Sequence, residues 1–242
     1  PTYSFLYVPG YEQLAAVSLA GQLPAKYQES KGAMSFGAGM PLFTALAWMG
    51  QSLNVTLVAD NAVADAQCGE VALGMVSVQD ALEALLKSAR AVGFVVEGTD
   101  EYVFVRATAN VNPASALLNG DRLDATGKAL LEKRVDLFLP QRGKDPTRFM
   151  LHFSPSQLGA VLATLSDQLG VPVTAEQDLL ILPVNPVTLR GVRVGTAMDL
   201  LVRQWLAPEF GYEIAEDRIL LRRRVEAERI AAPQTAAPAA TP

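Results

Sequence analysis

Apolar positions along the chain fall into helical stripes and alternating runs that occur twice. Leu42, Ala45, Leu46, Met49 and Leu53 are spaced i, i+3, i+4, i+7 and i+11, one apolar stripe on a 3.6-residue period. Leu158, Val161, Leu162, Leu165 and Leu169 repeat it. Asn54 and Gly170 follow directly, and both residue types tolerate a left-handed helix C-cap. Short β-branched runs come next, at 55–58 and 171–174, then strands at 71–73 and 187–189. A second helix carries Val78, Ala81, Leu82, Leu85 and Leu86, matched by Val194, Ala197, Met198, Leu201 and Val202. Ser77 with Asp80 predicts a cap for the first of these helices. Hairpins close both patterns: 92–97 into 101–106, and 210–215 into 218–223. One more strand is predicted before each first helix, near 33–36 and 148–153.

A shift of 116 residues aligns 34–106 with 150–222 without a gap, and 17 of the 73 positions are identical. Roughly 6 to 8 would be expected for a composition this rich in Ala, Leu and Val. The matches include the helical leucines, and Phe94, Glu97 and Arg106 meet Phe210, Glu213 and Arg222. Two copies of one unit follow, each reading β-α-β-β-α-β-β, an α+β class with two helices on short sheets. The predicted core holds Leu42, Leu46, Ala81 and Leu85 in copy one, and Leu158, Leu162, Ala197 and Leu201 in copy two. The predicted organisation is an aromatic N-terminal arm (1–33), a first domain (34–106), a connector with a short helix near 121–134 (107–147), a second domain (148–224) and an Ala/Pro-rich linker or tail (225–242).

Composition narrows the function. Of 242 residues, 50% are hydrophobic and 19% charged, enough apolar material for packed cores. A net charge of −5 argues against nucleic acid as the main partner, because affinity there comes largely from phosphate neutralisation. No apolar run approaches the roughly 18 residues that span a bilayer. The chain starts at Pro1 with no visible leader pattern, so a removed leader or a trimmed start is expected. Residues 34–106 hold eight acids and three bases (−5), whereas 150–224 hold eight and seven (−1). The copies share a core pattern but not a surface.

Candidate chemistry is sparse. Cys68 and His152 are the only residues of their types, too few for a soft-metal or nucleophilic site. Gly37-Ala38-Gly39 precedes Met40-Pro41 rather than Lys-Ser/Thr, so a helix start explains it better than a phosphate loop. Arg222-Arg223-Arg224 reads as a solvated strand end, and the acidic pairs Asp100-Glu101 and Glu216-Asp217 as exposed turns. No catalytic, cofactor-binding or metal-binding residue is expected, and the chain is not expected to be an enzyme.

The repeat resembles the secretin and TonB short N-terminal (STN) domain family. Copy one carries the resemblance in Leu42, Ala45, Leu46, Met49, Val55, Val71, Leu73, Val76, Ala81, Leu82, Leu85 and Leu86, with Phe94 and Tyr102-Val103-Phe104-Val105 in its hairpin. Copy two departs at Met198, Val202 and Pro172, and about 150 residues are covered. The resemblance implies a non-catalytic, periplasmic, outer-membrane-associated module that binds protein subunits of an envelope complex. A secretin of a type IV pilus or protein-secretion machine is the first expectation, with the chain forming part of a homo-oligomeric ring. Membrane association would come through a lipid anchor or a downstream barrel. The alternative it implies is a TonB-dependent transducer's signalling domain, which contacts an anti-sigma regulator. Partner contact is expected at Tyr3, Phe5, Tyr7 and Tyr11. In an extended arm the first three alternate onto one face, where aromatic rings supply large contact area; packing back onto the arm's own domain is the competing expectation.

Overall fold

The computed structural model describes residues 3–6, 23–89, 94–107, 109–110, 112–139, 156–205, 209–215 and 218–224. The fold is α+β throughout. In copy one the order is β2 (Lys31–Phe36), α2 (Leu42–Leu53), β3 (Leu57–Ala59), β4 (Val71–Ser77), α3 (Val78–Ser88), β5 (Phe94–Gly98) and β6 (Val103–Ala107). Ahead of it stand β1 (Tyr3–Leu6) and α1 (Lys26–Glu29); between the copies lie α4 (Ala125–Glu132) and β7 (Arg134–Leu139). Copy two then runs β8 (Ser156–Gln157), α5 (Leu158–Leu169), β9 (Val173–Ala175), β10 (Pro183–Val184), β11 (Val187–Arg193), α6 (Val194–Val202), β12 (Phe210–Ala215) and β13 (Arg218–Arg223).

Local chemistry sets the helix ends. Asn54 takes φ 55° and Gly170 φ 67° at the C-caps of α2 and α5, both in the left-handed region that small or amide residues reach at low cost. Ser77 Oγ accepts from Asp80 N–H at 3.1 Å and caps α3. The apolar stripes face inward as their spacing predicts. Leu42, Leu46, Ala81 and Leu85 are buried in one cluster, and Leu158, Leu162, Ala197 and Leu201 in a second.

The copies correspond strand for strand. β3 lies parallel to β6, and β9 parallel to β13; each hairpin, β5–β6 and β12–β13, is antiparallel. Residues 148–153, expected to open copy two, lie outside the described residues. The strand that holds the place of β2 is β7, within the segment read as a connector. β2 pairs with β4 as Lys31↔Ser77, Gly32↔Val76, Met34↔Leu73, Ser35↔Ala72 and Phe36↔Val71. β7 pairs with β11 as Arg134↔Arg193, Val135↔Val192, Leu137↔Leu189, Phe138↔Thr188 and Leu139↔Val187. Both ladders slip at the same point, a bulge that bends the strand at one place in each copy. Even the backbone bond before the second helix recurs: Val78 N to Ser30 O at 3.2 Å, and Val194 N to Lys133 O at 2.8 Å.

The copies are not separate bodies. One sheet runs β1-β5-β6-β3-β11-β7 through both, joined where Thr188 of β11 pairs antiparallel with Leu57 of β3. The join is close because Gly50 carries no side chain. A Cβ there would stand 3.0 Å from Thr188 Cβ, 3.1 Å from Leu57 Cβ and 2.9 Å from the Val55 carbonyl oxygen. Thr188 Oγ1 donates to Ala47 O at 2.7 Å, and Thr56 Oγ1 accepts from Arg190 N at 2.9 Å. Trp48 meets Phe138 edge-on, with ring centroids 6.2 Å apart.

A shared sheet predicts shared unfolding. Ala81 and Ala197 are both fully enclosed, so Ala81→Glu or Ala197→Glu buries a carboxyl group without a partner, which even in its neutral form costs roughly 2–7 kcal/mol. Trp48 and Trp205 place one fluorophore in each copy. In either variant both are expected to report the same lowered melting temperature. Separate transitions for the two fluorophores would show that the copies unfold independently.

Candidate functional site: the inter-copy cleft and the open strand edges

The hairpin of copy one carries a carboxylate and an arginine across its strands: Arg106 Nε donates to Glu97 Oε1 at 2.5 Å. Copy two repeats this as Arg222 to Glu213 at 2.7 Å, so the paired polar identities in the sequence mark a cross-strand ion pair. Among the described residues, a third group joins it in copy one alone. Arg203, which caps the end of α6 in copy two, donates from Nη2 to Glu97 Oε2, and its guanidinium lies 4.5 Å over the Phe104 ring. Burial acts to raise the Glu97 pKa, but Arg203 and Arg106 outweigh it and hold the carboxyl below its ordinary range. Removing one partner of such a buried pair typically costs about 3–5 kcal/mol.

A buried polar seam continues from this bridge. Asp60 Oδ2 accepts from Ala107 N at 2.8 Å and Asn110 Nδ2 at 3.0 Å, while Asn110 also donates to Arg203 O at 2.8 Å. Asn185 donates to Asp60 O at 3.1 Å, and Asn61 N to Gln204 O at 2.7 Å. The Asn185–Asp60 and Asn61–Gln204 bonds cross from copy to copy, and Asn110 of the connector ties Asp60 to Arg203, so a slipped docking would leave these buried groups unpaired.

Beside the seam lies a cleft of about 360 Å³. Thr99, Glu101 and Tyr102 line it from the copy-one hairpin; Arg193, Thr196, Asp199 and Arg203 line it from copy two. Glu101, expected in a solvated turn, instead accepts from Arg193 Nε at 3.0 Å and Thr196 Oγ1 at 2.7 Å. Asp199 accepts from Ala116 N at 2.6 Å, yet burial pushes its pKa up to about 6. Glu101 thus fastens one copy to the other, while Asp199 holds the connector against copy two.

The remaining candidates sit elsewhere. Cys68 is buried, and burial pushes its thiol up to about 11, which disfavours the reactive thiolate. His152 lies outside the described residues. The Arg222–Arg224 run is engaged rather than simply solvated: Arg222 pairs with Glu213, Arg223 meets Asp178 at 2.7 Å, and Arg224 Nε donates to Phe210 O at 2.9 Å. Among the described residues no group of three or more His, Cys, Asp or Glu side chains could hold a metal ion. No described helix is long and apolar enough to cross a membrane.

Tyr3 and Phe5, expected to reach a partner, lie in β1, which pairs antiparallel with this chain's own β5 as Tyr3↔Gly98 and Phe5↔Val96. Tyr7 and Tyr11 lie outside the described residues. The other edge of copy one is open among the described residues: β4 pairs only with β2. Ala72 and Gly74 there are exposed, and Met75 is 70% exposed. Sequence reasoning missed Arg203, Glu101 and Asp199. Their counterparts at the 116-residue shift are Lys87, Asp217 (for Glu101) and Glu83, so the repeat carried no signal for a junction that only one copy makes.

No protein-family model, no curated protein and no solved structure matches this chain.

At pH 7 the ionised Asp199 is a cost to the fold. Its folded pKa lies above the usual carboxylate value of 3.8, so the folded state gains protons, and relative stability, as the pH falls from about 6 towards 4. Asp199→Asn keeps an acceptor for Ala116 N–H without the charge. Urea denaturation is expected to show the variant's advantage over the parent at pH 7 shrinking at pH 5. An advantage that stays constant or grows on acidification would contradict this assignment.

Proposed function

We propose that the chain is a non-enzymatic, periplasmic protein–protein interaction module of an outer-membrane secretin complex, serving a type IV pilus or secretion machine as part of a ring. The observation that carries the reading is the head-to-tail join between the copies. Copy two presents β11, while copy one receives it on β3 beside α2, so equivalent units meet through unlike surfaces. Heterologous contacts of this kind build rings when the rotation closes, and here they would join this chain to domains of other subunits rather than to further copies of itself. The STN-like order of elements supports the same reading, as does an exposed strand edge, since an incoming chain can satisfy unpaired backbone groups by adding a strand.

The test is cross-linking in the cell envelope. A photoreactive residue replaces Met75 in the full gene product, in its own host. Capture of an outer-membrane secretin subunit or its inner-membrane counterpart is expected, from the periplasmic fraction. Capture of an anti-sigma regulator, or fractionation of the chain with the cytoplasm, would overturn the proposal.

A further inference from the structure

The internal join shows what the repeat needs in order to dock, and copy two lacks one part of it. In copy one, Val103 N donates to Thr56 O at 2.9 Å and Asp60 N to Val105 O at 3.0 Å. Residues 56 and 60 thus face β6, and alternation turns the N–H and C=O of Leu57 outward, to Thr188. Copy two has the same geometry: Ile219 N donates to Pro172 O at 2.9 Å and Glu176 N to Leu221 O at 3.1 Å. Its outward groups therefore belong to Val173, on β9, which among the described residues pairs only with β13. These groups are already occupied. Ser166 Oγ accepts from Val173 N at 2.8 Å and shares its proton between Val173 O at 3.2 Å and Leu162 O at 2.9 Å. Ser166 occupies the place of Gly50. Where copy one is bare and receives a strand, copy two is capped by its own side chain.

The surface that would dock is present a second time. β4 is the counterpart of β11, and Ala72 that of Thr188. Its outward edge is unpaired among the described residues, and Ser35, Ala72 and Gly74 give it an exposed face of small residues beside a shallow groove. A Cβ built at Gly74 meets nothing within 4 Å.

We propose that the β4 edge is the docking surface for another domain of this repeat's type, borne on a different chain, whose receiving strand is uncapped because glycine stands at the Gly50 position. Ser166 prevents a second copy of this chain from taking that place. Copy one's own receiving strand, β3, is already filled by β11. Head-to-tail polymerisation through these edges is thus blocked, and the β4 edge stays available for the non-self partner. The inference rests on the interaction-module reading but is tested on the purified chain, so its failure leaves that reading to the envelope cross-linking.

The probe is this chain with Ser166→Gly, a residue that copy one accommodates at the equivalent point. Light scattering with gel filtration is expected to give one chain for the parent and two or more for Ser166→Gly, with the same circular dichroism. Adding Gly74→Glu, which places a charge on the docking face without altering the core, is expected to return the mass to one chain. Ala72→Pro removes the outward N–H itself and is expected to do the same. A folded Ser166→Gly variant that stays monomeric would overturn the proposal. So would oligomers that survive both edge substitutions, or a parent whose self-association is abolished by Gly74→Glu.

Discussion

The single pairing of Thr188 with Leu57 organises the molecule. It turns two small α+β units into one sheet, and it requires that Gly50 contribute no side chain. A glycine inside a helix costs about 1 kcal/mol relative to alanine. Here that cost accompanies a close approach of strand β11 to helix α2 that any Cβ would obstruct. Arg203 and the cleft at the copy-one hairpin lie along the same junction between the copies.

The electrostatics complete what the backbone begins. A hairpin ion pair common to both copies, Glu97–Arg106 and Glu213–Arg222, becomes a three-membered bridge only where Arg203 reaches it. Buried charge networks add little net stability compared with apolar packing, but they penalise any docking that leaves a member unpaired. Glu101 with Arg193 and the Asp60–Asn110–Asn185 seam extend the same selection over the junction. Copy one and copy two thus share a core but diverge at the surface where they meet. Their charge difference in the sequence, −5 against −1, already has this asymmetry.

What the sequence revealed follows from which forces are local. The four helices of the repeat were legible because their apolar spacing is periodic, and the ends of α2 and α5 because Asn54 and Gly170 suit left-handed caps; α1, a single short turn, carries no such stripe. The hairpins were legible from alternation and turn residues. The first strand of copy two was not, because its offset from copy one is 103 residues rather than 116: Arg134 stands where Lys31 does, while Arg193 stands where Ser77 does. An ungapped comparison cannot show a spacing that changes inside the unit. Glu97 and Arg106 were visible as identities, but their role was not, since the deciding group, Arg203, is long-range and has Lys87 as its counterpart. The difference between Gly50 and Ser166 was plain as letters and silent as physics until the outward groups of Leu57 and Val173 were located.

Native-state hydrogen exchange at Leu57 and Thr188 tests the central claim, that the junction is part of one cooperative body. Their amides are expected to be protected to the same free energy as the hairpin amides of β5–β6 and β12–β13, so that they open only when the whole chain unfolds. Exchange at Leu57 and Thr188 through a low-energy local opening, with both hairpins still protected, would contradict the account and reduce the molecule to two domains in loose contact.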